Sequence, residues 1–209
     1  MSEILHSIWT GMTGTSELEQ IATVLGVAGV WLMMRQNVWT FPVSLVQVVI
    51  FGYVCFEGRL YSETVLQILF FAALAYGWVH WTRGHTADNP LPVRWLSRRG
   101  RYGWIAAVLV LWVAWGAIMS RVGAALAYAD AFVFATSVAS QWLQARKAID
   151  NWLGWVIANT AGIAVFWRKE YYWFAALYFI FWLMAWGGFT AWRRSMAASG
   201  TSGATAAHG

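Results

Sequence analysis

Seven apolar, tryptophan-rich stretches, each close to the length that crosses a bilayer, fill almost the whole of this chain. A spanning helix needs about 20 mainly apolar residues, because it rises about 1.5 Å per residue through about 30 Å of hydrocarbon. The 209 residues hold seven such segments with short connections and leave little for an external domain. Charge agrees with this: 60% of residues are hydrophobic and 11% charged, where ordinary soluble domains carry about 25% charge. The fold class expected is an all-α integral membrane protein.

Apolar runs and their punctuation place spans at 18–35, 41–57, 61–81, 103–120, 126–145, 149–167 and 171–192. Residues 1–17 form a polar leading segment, too short and too polar for a cleaved signal or a further span. Pro42 sits in the first turn of the second span, where a missing N–H costs nothing, so it marks a start and not a kink. Residues 82–102, with Pro90, Pro92 and five arginines, make the one long connection. Residues 193–209 read as a small, polar, disordered tail. The linker and the tail are both expected in water. A lone cysteine, Cys55, excludes an internal disulfide.

Basic residues fix the orientation, since Lys and Arg beside the spans are retained on the cytoplasmic side. One side holds Arg35, Arg83, Arg94, Arg98, Arg99, Arg101, Arg146, Lys147, Arg193 and Arg194; the other holds Arg59, Arg121, Arg168 and Lys169. Ten against four puts the N-terminus outside and the C-terminus in the cytoplasm. The net charge of +5 is then explained by topology and anionic headgroups, without nucleic acid as a partner.

One constant, gapless shift of the sequence pairs Trp31 with Trp142, Arg35 with Arg146, Tyr61 with Tyr172, Phe70 with Phe181, Gly77 with Gly188 and Trp81 with Trp192. These matches follow span boundaries: the shared Arg ends the first span of each half, and the shared Gly-x3-Trp ends the third. The chain therefore reads as a first three-helix bundle (18–81), a connecting helix (103–120) and a second bundle (126–192). With one intervening span the copies point the same way, giving parallel repeats in a 3+1+3 plan, which is the plan of a small-molecule transporter. Small residues at Gly26/Ser137, Ala28/Ala139 and Gly29/Ser140 would let helices approach closely.

Polar groups inside spans cannot be satisfied by lipid, so they face the protein interior or a wet cavity. Asn151, Trp155 and Asn159 recur every four residues on one helical face, with Trp152 at its edge. Gln47, Gln67 and Gln141 add amides from the second, third and fifth spans. Any one amide alone is as well explained as a hydrogen-bonded join between helices. The Asn151, Trp152, Trp155, Asn159 set reads instead as a substrate site. Amides and indoles without a carboxylate suit a ligand with hydroxyl and carboxamide groups and a flat ring, and a cationic ring gains cation–π attraction of about 0.5–2 kcal/mol per tryptophan. Most other tryptophans, among them Trp9, Trp81, Trp95, Trp104, Trp173 and Trp192, lie near span ends and read as interfacial anchors. Glu57, Glu63, Asp130 and Asp150 lie near helix ends, within reach of headgroups or basic neighbours. His6, His80, His85 and His208 lack metal-ligand spacing, so no catalytic residue, metal or cofactor is expected.

Leu60-Tyr61-Ser62, Leu66-Gln67, Phe70-Phe71-Ala72 and Tyr76-Gly77-Trp78-x2-Trp81 resemble the third-helix signature of PnuC-type vitamin transporters. Arg146-Lys147 leading into Asn151-Trp152-Leu153-x-Trp155-x3-Asn159 resembles their sixth-helix signature, and Arg94-Trp95-Leu96 and Gly188-x3-Trp192 also fit. The resemblance runs over about residues 18–194 and implies an architecture similar to the SWEET sugar transporters. An additional N-terminal span found in some members is not expected here. It also implies facilitated diffusion of a vitamin precursor, most often nicotinamide riboside, across the bacterial inner membrane, trapping by a cytoplasmic kinase, and a homotrimer. Thiamine, riboflavin and deoxynucleosides remain alternative substrates, and a non-transporting membrane scaffold is the alternative of another class. Ligand-dependent stabilisation separates the last from a transporter.

Overall fold

Hydrogen-bonded helix is what a chain this apolar must form, since a backbone in hydrocarbon has to satisfy its own polar groups. In the computed structural model, residues 9–11, 13–83 and 90–206 are described, with side chains to residue 198. His6, His85, His208 and the end of the tail lie outside the described residues. Seven long helices follow in order: α1 (Glu17–Met34), α2 (Thr40–Glu57), α3 (Tyr61–Thr82), α4 (Arg98–Arg121), α5 (Ala127–Ala145), α6 (Asp150–Arg168) and α7 (Tyr172–Ala206). Five of them, α1 to α4 and α7, are long and apolar enough to cross a membrane. The other two are more polar. In α5, thirteen of 19 residues are buried, because α3, α4 and α6 all pack against it. A helix so enclosed has no need of an apolar outer surface.

Helix contacts close a circuit. α1 packs on α2, α2 on α3, α3 on α5, α5 on α6, α6 on α7, and α7 returns to α1. α4 lies outside this circuit against α5, joined by hydrogen bonds from the Trp112 indole N–H to the Tyr128 carbonyl and from the Trp115 indole N–H to Ser62 Oγ of α3.

Backbone geometry repeats with the same shift that pairs the sequence. α1 ends on Gln36 at φ 56° and α5 on Lys147 at φ 55°; α2 ends on Arg59 at φ 57° and α6 on Glu170 at φ 63°. Each is the left-handed residue of a Schellman closure. Asn37 N donates to the Leu32 carbonyl and Ala148 N to that of Leu143, both at 3.0 Å. Gly77 of α3 and Gly188 of α7 are also equivalent in their surroundings. A Cβ on Gly77 would meet the Phe41 ring at 2.7 Å, and one on Gly188 would strike the ring of Trp152, the residue that the repeat pairs with Phe41.

Three expectations are corrected. α4 begins at Arg98, not 103, because Ser97 caps it by accepting from Gly100 N at 3.1 Å. α7 runs past Trp192 to Ala206, so the expected disordered tail is helical over 193–206. Extending an existing helix through Ala- and Arg-containing sequence requires no new nucleus. Residues 90–97 are not a free aqueous loop. Arg94 makes an isolated parallel bridge with Ala148, and Leu91 and Val93 pack on the main apolar cluster.

Candidate functional site

α6 starts at the basic end of the bundle, so Asn151 and Trp152 lie in its first turn, Trp155 a turn further, and Asn159 about 13 Å along, at mid-helix. All four face the interior: Asn151, Trp152 and Asn159 are buried and Trp155 is half-buried. Trp155 Nε1 donates to Gln144 Oε1 of α5 at 2.6 Å, and its ring meets Phe70 of α3 edge-on at 5.9 Å. Trp152 meets Trp192 of α7 edge-on at 5.5 Å and 90°. The two site indoles are therefore held separately by the other half's Phe70 and by α7.

Hydrogen bonding divides the amides. Asn151 Nδ2 is committed to the Ala148 carbonyl at 2.6 Å, which ties this residue to the α5–α6 turn. Its Oδ1, Trp152 Nε1 and Gln67 Oε1 are buried without a hydrogen-bond partner. A buried polar atom left in this state costs about 1–3 kcal/mol, so it favours a ligand that supplies the missing partner. Gln141 is buried one turn before Gln144 on α5. Gln47 is half-buried beside Gly26, where the Phe181 ring of α7 also approaches. Gln67 stands apart. It is 7% exposed and faces a crevice of about 250 Å³ between α2 and α3, walled by Val48, Val49, Gly52, Ile68 and Phe71.

Sequence reasoning missed Gln144. A fifth-helix amide three residues after Gln141 shares its face, and that spacing was the available signal. Trp81 and Trp192 are a further correction. Expected as interfacial anchors, they are 4% and 0% exposed, inside the apolar cluster at the basic end of the bundle.

Glu63 and Asp130 lie at the opposite end, away from the site indoles. Asp130 of α5 is paired with Lys169 at 2.7 Å and lines a narrow cleft with Glu63 and Tyr178. Asp150 is engaged at the basic end, accepting from Arg101 Nε at 2.7 Å and from Leu96 N at 2.8 Å. Among the described residues, no three His, Cys, Asp or Glu side chains gather as a metal site.

The family profile described as nicotinamide mononucleotide transporter matches residues 16–194. The chain is 29% identical over 215 residues to the nicotinamide riboside transporter PnuC of Escherichia coli, covering 90% of each chain. It is also 29% identical over 197 residues to the riboflavin/roseoflavin transporter RibM of Streptomyces davaonensis, covering 91% of this chain and 87% of that one. A crystal structure of the vitamin B3 transporter PnuC shares the fold with a TM-score of 0.73 at 20% identity, over 93% of this chain and 90% of the other. The chain belongs to the nicotinamide mononucleotide transporter family and is a multi-pass inner-membrane transporter of the PnuC type.

Proposed function

We propose that this protein carries nicotinamide riboside by facilitated diffusion, through alternating access of two like-oriented three-helix bundles, α1–α3 and α5–α7, joined by α4. The N-terminus is outside and the C-terminus in the cytoplasm, so the Arg35/Arg146 end is the inner end. Support for the bundles comes from the left-handed turns that recur at equivalent places in the two halves and from the closed circuit of six helices with α4 outside it. Substrate is retained inside by a kinase, and the working unit is a homotrimer. The curated relatives it matches are named as transporters, in keeping with a non-enzymatic role.

One observation carries the substrate reading: the interior face of α6 presents buried Trp152 and Asn159 and half-buried Trp155 without a carboxylate between them, and Trp155 is bonded to Gln144 of α5. A pyridinium ring is stabilised by indole faces without a buried acid, while carboxamide and ribose hydroxyls find amide partners. Gln47, Gln67, Gln141 and Asn151 complete the proposed substrate-binding set. Riboflavin is the second reading, because RibM matches this chain at the same identity as PnuC and its ring is also flat.

A thermal-shift panel of nicotinamide riboside, riboflavin, thiamine and deoxynucleosides on the detergent-solubilised protein tests the reading. Binding to the folded state alone raises stability by RT ln(1 + [L]/Kd), about 2.7 kcal/mol at a hundredfold excess over Kd. Nicotinamide riboside is expected to give the largest shift. A larger shift with riboflavin replaces the substrate, and no shift with any of them favours a scaffold.

A further inference from the structure

We propose that Trp81 and Trp192 form the inner gate of this transporter, latched by Lys147 and the strap of residues 91–96, and that Trp192 links the gate to the site indole of Trp152. The inference rests on the alternating-access reading above.

Two hydrogen bonds cross between the halves at the inner end. Trp81 Nε1 of α3 donates to the Ala145 carbonyl of α5 at 3.0 Å. Trp192 Nε1 of α7 donates to the Met33 carbonyl of α1, also at 3.0 Å. The donors are equivalent under the repeat, and the acceptors are equivalent to within one residue. Each indole therefore bonds the last turn of a helix in the other half, where carbonyls lack a following turn of helix; the Met33 carbonyl also accepts from Gln36 N at 2.9 Å. The two rings lie 5.8 Å apart and close the end of the helix circuit from both sides. Rocking the bundles apart at this end has to break both bonds together.

Lys147 holds the closed arrangement. Its residue is 2% exposed, and its Nζ lies 4.3 Å from the centre of the Trp81 ring, which places a second-half cation on a first-half indole. The strap fastens Lys147 in turn: Arg94 N donates to the Lys147 carbonyl at 3.3 Å, and Ile149 N donates to the Arg94 carbonyl at 3.0 Å. Asp150 accepts from the strap at Leu96 N and from Arg101 of α4, which ties the strap to the start of that helix. Coupling to the site is direct, because Trp192 packs edge-on to Trp152 and Gly188, one turn before Trp192, leaves no free space beneath the Trp152 ring. A ligand that shifts Trp152 therefore presses on Trp192.

The test uses the full chain in lipid nanodiscs with a Met33→Cys reporter at the gate. The native Cys55, buried towards the other end of α2, is the internal control, and modification by a membrane-impermeant maleimide is read at each position by mass spectrometry. Trp81→Phe and Trp192→Phe keep an aromatic ring but delete the N–H with the rest of the pyrrole ring. Each is expected to speed labelling of the Met33→Cys thiol at least about fivefold, near 1 kcal/mol in the gate equilibrium, with Cys55 unchanged within about twofold. Lys147→Met reads the latch without touching an indole and is expected to give a smaller rise of the same kind. An unchanged rate at the reporter overturns the gate, and so does an equal rise at Cys55, which is general loosening. Stabilisation of the wild-type chain by nicotinamide riboside without faster reporter labelling sinks the gate alone. Faster labelling in a chain that no vitamin stabilises sinks the substrate reading alone.

Discussion

Lys147 is a cation buried in the turn between α5 and α6. Burial pushes its ammonium from the usual 10.5 down to about 8, and the face of Trp81 recovers part of the lost hydration. Between about pH 8 and 10.5 the unfolded chain binds the proton that the folded chain has released, so stability rises with pH across that window. Below it both states are charged and the cost of burying the charge is constant. Thermal midpoints in detergent are therefore expected to climb from pH 7.5 to 10 more steeply in the wild type than in Lys147→Met, and parallel profiles would contradict this. Trp155 and Asn159 are tested by binding calorimetry. Trp155→Ala and Asn159→Ala are each expected to weaken nicotinamide riboside binding at least about tenfold, near 1.4 kcal/mol; unchanged affinity in both refutes the site. Spacing made these two legible, because a polar face inside an apolar helix is costly in lipid and has to meet protein or a wet cavity. Trp81 and Trp192 were not legible as a cross-half pair, since an indole near a span end reads equally as an interfacial anchor and as an interior pin.

At the scale of elements, the close packing of α6 on α7 depends on Gly188, where a Cβ would strike Trp152. Trp152 is itself packed edge-on against Trp192, so it can yield only at the cost of that contact. Gly188→Ala is expected to destabilise by about 1–3 kcal/mol through overpacking. Gly103→Ala in α4 meets nothing within 4 Å and is expected to be neutral or to stabilise by about 0.5–1 kcal/mol through helix propensity. Equal thermal midpoints for the two variants would contradict the packing account. Helix number and most boundaries were readable from apolar length and turn residues. The α4 start was missed because a run as basic as Arg98 to Arg101 looks like loop until Ser97 is seen as its cap. Left-handed turns at Gln36, Arg59, Lys147 and Glu170 carry no glycine signal, so only the backbone reveals that they repeat.

For the molecule as a whole, the repeat is closer in backbone than in chemistry. Thr40, Phe41, Ser44 and Val48 of α2 are the first-half equivalents of Asn151, Trp152, Trp155 and Asn159 of α6. At these four positions the second half carries the indoles and amides and the first apolar and hydroxyl counterparts, while Gln47, Gln67 and the Phe70 edge lie elsewhere on the first-half helices. On the proposed reading, such one-sidedness suits a single flat ligand held between two halves of similar backbone. The Glu63 and Asp130 carboxylates lie at the end opposite Arg35 and Arg146, and Asp150 is taken up by Leu96 N and Arg101. Transport is accordingly expected to run without ion coupling. The most direct measurement is uptake of labelled nicotinamide riboside into kinase-free proteoliposomes. The account predicts that the internal concentration rises to the external one and stops there, with or without a proton or sodium gradient; accumulation above the external concentration under either gradient, or no uptake at all, would contradict it.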